Sequence, residues 1–174
     1  MSRVFLTMAA TLVATALVRA FAVMLEVASI PLTPAAVVVA WAALSLAPLE
    51  AVVAASCCGL VVDALGGLPV GLTSFSLVVA LLITRLGIRG VARPVGLLAA
   101  SVAGVVGLLQ AFVSWGLLVF FVPERAPWQP GAAVFASCGD VVLGLVLLPI
   151  LDRLGVVVGL ERTASTAERL ASRI

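Results

Sequence analysis

The chain contains no histidine and no tyrosine, and charged residues make up only 10% of its 174 residues. Without histidine it lacks the side chain that most often serves as general base and metal ligand near neutral pH. Its net charge of +2 is also far too small for a nucleic-acid-binding surface. We therefore expect a protein that is not an enzyme, needs no cofactor and binds no nucleic acid.

Cysteine is scarce as well, and its placement argues against metal or disulfide chemistry. Cys57, Cys58 and Cys138 all lie within apolar runs and lack the two-plus-two spacing of metal sites. A free cysteine in such surroundings behaves as a small hydrophobic side chain. The sequence predicts small buried side chains at all three positions and no bound metal ion.

Hydrophobic residues, in contrast, make up 64% of the chain, and the mean hydropathy is +1.33. This leaves too little polar surface to cover a water-soluble core. A membrane-spanning helix takes about 20 apolar residues, so the sequence predicts an all-α, polytopic membrane bundle of about six transmembrane helices. We expect a single bundle over residues 1–158. Residues 159–174 would form a cytoplasmic tail, either an amphipathic helix on the membrane surface or a disordered end.

Turn residues divide the chain into six apolar runs: 4–28, 35–47, 49–65, 72–86, 95–122 and 131–154. The first run is too long for the apolar part of a cleavable signal, which has about 7–15 residues. Thr33 and Pro34 predict the start of the second helix, because threonine caps helices and proline suits their first turn. The second and third runs are short for a hydrocarbon core of ~30 Å. We favour two thin spans there, with the two limbs of a re-entrant hairpin as the alternative.

The arginines predict the orientation of the bundle, since cytoplasmic loops of membrane proteins are rich in basic residues. All ten basic residues are arginine, and with both termini in the cytoplasm only Arg125 lies outside and Arg19 lies within a span. A re-entrant hairpin would leave this distribution unchanged. The cytoplasmic arginines would be Arg3, Arg85, Arg89, Arg93, Arg153, Arg162, Arg169 and Arg173.

Four charged residues fall in the outer half of the predicted bundle: Arg19, Glu26, Asp63 and Asp140. A charge near the centre of a bilayer costs roughly 3 kcal/mol on insertion scales. We therefore expect Arg19 to pair with Asp140 or Asp63 in the interior. Such a group of charges would line a polar cavity that opens outward, or form a structural ion pair that fixes helix packing.

The stretch 59–75 reads GLVVDALGGLPVGLTSF and is the most specific in the chain. It places an aspartate, Asp63, at the end of an apolar helix and directly before a turn built from Gly66, Gly67, Pro69 and Gly71. Glycine accepts the left-handed backbone that ends helices, and an aspartate can accept hydrogen bonds from exposed turn amides. The stretch therefore predicts a helix-connecting turn capped by Asp63, with a functional role for Asp63 as the alternative. Close helix packing is expected at Gly104, Gly107, Gly139 and Gly144.

The whole pattern resembles the MreD family of bacterial rod-shape-determining membrane proteins. The matching features are the chain length, a proline-led helix with a tryptophan (Pro34 and Trp41), the stretch 59–75 beginning at Gly59, and a basic cytoplasmic end. The stretch 59–75 is the specific part of this resemblance. The family often has an arginine directly before the proline of the second helix, where this chain has Thr33, so the chain lacks any contact that this arginine makes.

The resemblance implies a non-enzymatic membrane scaffold of the cell-elongation machinery in the bacterial inner membrane. MreC would be its direct partner, with MreB, RodZ, RodA and a class B penicillin-binding protein in the same complex. The contact surfaces would be small-residue helix faces and the outer turn 66–71. The cytoplasmic Arg85, Arg89 and Arg93 would meet anionic membrane lipid or partner tails.

A second class of protein also fits the composition. Six short helices in a chain of this size look like the substrate-binding component of an energy-coupling-factor vitamin transporter, and an outward cavity around the four charges would suit a small polar ligand. The chain has few aromatic residues for a vitamin pocket, with seven phenylalanines, three tryptophans and no tyrosine.

Overall fold

The computed structural model describes residues 33–66, 69–88, 96–121 and 130–157, together with the single residues Ala9, Leu12, Val13 and Ala16. Within these ranges the chain forms α-helices and contains no strand, which confirms the all-α class. The helices are α1 (Pro34–Ser45), α2 (Pro48–Gly66), α3 (Leu72–Gly87), α4 (Leu97–Phe121) and α5 (Pro130–Val157). Most of the predicted first span and the predicted tail lie outside the described residues.

The helix boundaries follow the turn residues of the sequence. Proline begins α1, α2 and α5, because its missing amide hydrogen and fixed φ suit the first helical turn. Gly71, the residue before α3, has a φ of 97°, a left-handed conformation that a residue with a Cβ rarely adopts. The four later predicted runs therefore become α2 to α5 with shifts of a few residues at their ends.

Three helices are long and apolar enough to cross a membrane: Pro48–Leu65, Leu97–Phe121 and Pro130–Leu154. By length and composition, the chain is a membrane protein. The other two helices are shorter, with 12 residues in α1 and 16 in α3, or about 18 and 24 Å at 1.5 Å per residue. Six full spans therefore remain a prediction.

Helix α1 forms the centre of the described bundle. Its residues 34–43 are all buried, and it packs against each of α2, α3, α4 and α5. Consecutive helices from α2 to α5 also pack against each other. Since α1 is apolar on all sides and consists largely of alanine and valine, its neighbours approach closely from every direction, as expected for a buried helix.

The described helices alternate in direction. Arg85, near the end of α3, binds carbonyls at the end of α1, and Trp41 of α1 binds Asp152 near the end of α5. The end of the bundle that contains these residues is called the inner end here. The opposite, outer end contains the turn 69–71 and Phe121, the last residue of α4.

Candidate functional site

Asp63 joins the end of α2 to the start of α3 at the outer end. Its side chain is only 1% exposed. The amide of Gly71 donates to Oδ2 at 2.8 Å, and the amide of Thr73 donates to Oδ1 at 3.0 Å. Both amides belong to the first turn of α3, where backbone donors lack partners within the helix. These are the turn hydrogen bonds that the sequence predicted for Asp63.

Gly59 allows α2 and α3 to touch through their backbones. A Cβ built at Gly59 would lie 2.2 Å from the Cα of Ser74, far inside contact distance. The Ser74 hydroxyl donates across the same contact to the carbonyl of Ser56 at 3.0 Å. Together with Asp63, these contacts make the stretch 59–75 a tightly fixed helical hairpin. Gly66 is the last residue of α2, and Gly67 lies outside the described residues.

An apolar pocket of about 420 Å³ opens beside this hairpin at the outer end. Its walls come from the turn 69–71, which includes Pro69, from Leu72 and Phe75 of α3, and from the last two turns of α4. Val70 on its rim is 83% exposed. The sequence did not predict this pocket, because α4 reaches it from more than forty residues further along the chain.

Asp140 binds the start of α1 from the middle of α5. It is fully buried, and its two carboxylate oxygens accept from the Thr33 amide at 3.0 Å and the Thr33 hydroxyl at 2.6 Å. Thr33 is the N-cap residue of α1, as predicted, but its side chain makes no capping hydrogen bond. Its hydroxyl donates to Asp140 instead, which places a carboxylate at the positive end of the α1 dipole.

Small residues on α4 and α5 make room for this contact. A Cβ built at Gly107 would lie 2.2 Å from Oδ2 of Asp140, and one at Gly104 would lie 2.5 Å from Val141. Gly144 likewise faces Ala100, with its Cβ position 3.3 Å from the Ala100 Cα. Close packing at these three of the four predicted glycines is therefore confirmed.

Arg85 binds the opposite end of α1. Its Nε donates to the Ala43 carbonyl at 3.1 Å, and its Nη2 donates to the carbonyls of Ala42, at 3.3 Å, and Leu46. These carbonyls lie at the end of α1, where backbone acceptors begin to lack partners within the helix. The Ala42 carbonyl also accepts from the Leu46 amide at 3.0 Å. The guanidinium is thus engaged with the protein's own backbone, a contact that the sequence did not predict. Arg89 and Arg93 lie outside the described residues.

A third contact fixes α1 near its inner end. The buried Trp41 donates from Nε1 to Oδ1 of Asp152 on α5 at 2.9 Å. Trp41 therefore has a hydrogen-bonded structural role at the α1–α5 contact. Nothing local in the sequence pairs these two residues, which lie 111 positions apart.

The two described acids of the predicted charge cluster bind different helix ends: Asp63 binds the start of α3 and Asp140 the start of α1. Arg19 and Glu26 lie outside the described residues, so the Arg19 ion pair stays a prediction. Within the described ranges no group of three metal-ligating side chains occurs.

The three cysteines are free. Cys58 is buried, as predicted, and Cys57 is half-buried, but the prediction of burial was wrong for Cys138, which is exposed on α5.

The described fold and site define a helical membrane protein whose interior charges bind its own helix ends. No protein-family model, curated protein or solved structure matches the chain.

Proposed function

We propose that this protein is a non-enzymatic membrane scaffold of the MreD kind, which binds MreC and supports lateral peptidoglycan synthesis in rod-shaped bacteria. It would cross the bacterial inner membrane several times, with both termini in the cytoplasm. MreB, RodZ, RodA and a class B penicillin-binding protein would belong to the same complex. The resemblance of the stretch 59–75 gives the proposal its partners.

The single observation that carries the proposal is the geometry of this stretch at the outer end. Gly59 and Asp63 fix the hairpin through a backbone contact and two amide hydrogen bonds. The fixed turn holds the exposed Val70 beside an apolar pocket. A rigid surface with an apolar recess suits recognition of a partner protein, because little conformational freedom is lost on binding.

The contacts of the charged side chains also favour a scaffold. Asp63, Asp140 and Arg85 each bind backbone groups of a neighbouring helix. Their polar atoms are largely engaged in holding helix ends. Catalysis or binding of a polar ligand would need such groups directed into a cleft.

A substrate-binding component of a vitamin transporter remains the alternative. It would need a polar cavity in the outer half of the bundle. Both carboxylate oxygens of Asp63 and of Asp140 already accept hydrogen bonds from the chain. The described outer pocket is lined by apolar side chains. Both features favour the scaffold, and affinity purification from the native membrane distinguishes the two classes by the partners recovered.

A photo-crosslinking amino acid at position 70 tests the proposed contact surface. Val70 is 83% exposed at the outer end, and Leu49, 77% exposed at the start of α2, provides a control of similar exposure at the inner end. We expect MreC to crosslink to position 70 several-fold more strongly than to position 49. If MreC co-purifies but crosslinks equally to both positions or to neither, the outer turn is not the contact. If MreC does not co-purify, the scaffold proposal itself fails.

The proposed contact of the cytoplasmic arginines with anionic lipid or partner tails has to be tested without changing Arg85. Charge reversal of Arg85 would also remove the hydrogen bonds that hold the end of α1. The hypothesis is therefore tested with Arg89 and Arg93 reversed and Arg85 retained. Loss of partner recruitment at normal protein level supports it, and unchanged recruitment contradicts it.

A further inference from the structure

The outer pocket is suited to an apolar ligand. Among the described residues, its walls carry no polar side chain. The backbone amides of its turn are engaged as well, since Gly71 donates to Asp63 and Leu72 donates to the Pro69 carbonyl. Its volume of about 420 Å³ lies within the range of roughly 300–1,000 Å³ that is typical of small-molecule pockets. The pocket therefore offers space for a ligand larger than one side chain and no group to orient a polar one.

Contacts on two sides hold the pocket open. The start of α3 is fixed to α2 by the Asp63 hydrogen bonds and the backbone contact at Gly59. Just below the pocket, the Ser114 hydroxyl of α4 donates to the Ser76 hydroxyl of α3 at 2.9 Å. Ser76 follows the wall residue Phe75 along α3. The space between the outer ends of α3 and α4 is thus formed before a ligand binds, which lowers the cost of binding.

The pocket lies at the level where acyl chains join their headgroups. Helix α4 has 25 residues, or about 37 Å at 1.5 Å per residue, against a hydrocarbon core of ~30 Å. Its ends therefore reach the boundaries of the hydrocarbon. The wall residues Leu117, Leu118 and Phe121 occupy the last turn of α4, within about 6 Å of its outer end.

An exposed apolar stripe leads from the pocket along α3. It begins at the wall residue Phe75 and continues through Leu82, Ile83 and Leu86, all of which are exposed. These positions follow the i, i+7, i+8, i+11 pattern of a single helix face. In a membrane such a face contacts hydrocarbon, because lipid tails are as apolar as leucine. The pocket is therefore continuous with a lipid-facing surface that extends toward the inner end.

We propose that the outer pocket binds the acyl chain of a membrane phospholipid. The first carbons of the chain lie between the outer ends of α3 and α4, and the rest of the chain follows the exposed stripe of α3. The bound chain fills the recess and leaves Val70 exposed on its rim, where a partner protein can still reach it. This lipid site goes beyond the proposed function and does not rest on it, because it requires only that the bundle lies in a membrane.

Photo-crosslinking with a lipid tests the site directly. The purified full chain is irradiated in detergent micelles that contain a trace of phosphatidylglycerol with a diazirine near the start of one acyl chain, and labelled residues are identified by mass spectrometry. Phe121 and Phe135 are matched, since both lie near the outer end and are 71% and 65% exposed. We expect saturable labelling several-fold stronger at Phe121, in the pocket, than at Phe135, on α5. Equal labelling of the two overturns the proposal.

A variant that fills the pocket provides a second test. Leu118→Trp places a larger side chain on the wall, and we expect labelling of Phe75 to fall several-fold. Leu108→Trp adds the same ring at an exposed position of α4 that does not line the pocket, and should leave the labelling unchanged. Unchanged labelling in Leu118→Trp overturns the proposal. If Leu118→Trp does not fold, Leu118→Phe fills part of the space and is measured in the same way.

Labelling in the native membrane distinguishes a lipid from a protein in the pocket. Cells are supplied with a fatty acid that carries a diazirine, which they incorporate into their phospholipids, and their membranes are irradiated before purification. We expect Phe121 again to be labelled more strongly than Phe135. If Phe121 is labelled in micelles but less than Phe135 in the native membrane, another protein covers the pocket and the lipid proposal is overturned.

Discussion

The α2–α3 hairpin and helix α1 are both held by side chains that bind backbone groups at helix ends, but the distances along the chain differ greatly. In the hairpin, Asp63 binds amides 8 and 10 residues away. Arg85 binds α1 carbonyls 39 to 43 residues away, and Asp140 binds Thr33 across 107 residues. The hairpin can therefore form from local sequence alone, whereas α1 is fixed only when distant helices assemble around it.

This difference shows how a helix without polar faces acquires a defined position. Helix α1 is buried on all sides, so its apolar side chains specify little about its direction or depth. Its two ends supply that information, since a carboxylate meets its N-terminus and a guanidinium meets its C-terminus. Both charges match the helix dipole. Buried charges can thus select one arrangement of helices even where they add little net stability.

The largest effect is expected at the backbone contact of the hairpin. Gly59→Ala places a Cβ 2.2 Å from the Cα of Ser74, and neither backbone can move without separating α2 from α3. We expect the free energy of unfolding, measured by thermal unfolding in detergent, to fall by about 3 kcal/mol. This is the upper end of the range for overpacked sites. Gly116→Ala, with no atom within 4 Å of its Cβ position, should be neutral or slightly stabilising. Equal losses in both variants would contradict the close contact.

Asp63→Asn separates the local role of this residue from a role in cell shape. The asparagine side chain keeps one acceptor oxygen, but its NH₂ group would face a backbone N–H donor of α3. We therefore expect the free energy of unfolding to fall by about 2 kcal/mol. At normal membrane levels of the variant, the scaffold proposal predicts misshapen cells because the outer turn is loosened. Normal rods at normal protein level would leave Asp63 with a capping role alone.

Arg85→Met tests the distant contact at the inner end of α1. It retains much of the apolar stem and removes the three donated hydrogen bonds. Because the group is partly exposed, we expect a modest loss of about 1.5 kcal/mol in the free energy of unfolding. Arg153→Met, at an exposed position of α5, serves as the control for loss of positive charge. A matching loss in the control would show that charge, not the α1 contact, is responsible.

Trp41→Phe should have the smallest effect of the four variants. It removes one hydrogen bond to Asp152 and retains an aromatic ring in the buried site. We expect the free energy of unfolding to fall by about 1 kcal/mol in the same measurement. If Asp152→Ala, which leaves the Trp41 Nε1–H without this acceptor, lowers stability equally and the double variant adds nothing further, the two side chains act as a pair. Additive losses would show that they act separately.

The sequence predicted the hairpin much better than it predicted α1. Asp63, Gly71 and the glycine-rich turn lie close together along the chain, and turn chemistry acts over that distance. The boundaries of α1 were also predictable, from Thr33 and Pro34. The partners of its ends were not, because periodicity carries no information about which distant helix lies beside which. The outer pocket was missed for the same reason, since α4 closes a space that begins at the turn 69–71.

The most direct test of the functional account is affinity purification of the tagged protein from its native membrane in a mild detergent, with mass spectrometry of the proteins recovered. The account predicts recovery of MreC together with RodA and a class B penicillin-binding protein. Recovery of paired ATPases with a transmembrane coupling subunit, without MreC, would contradict it and identify a transporter component.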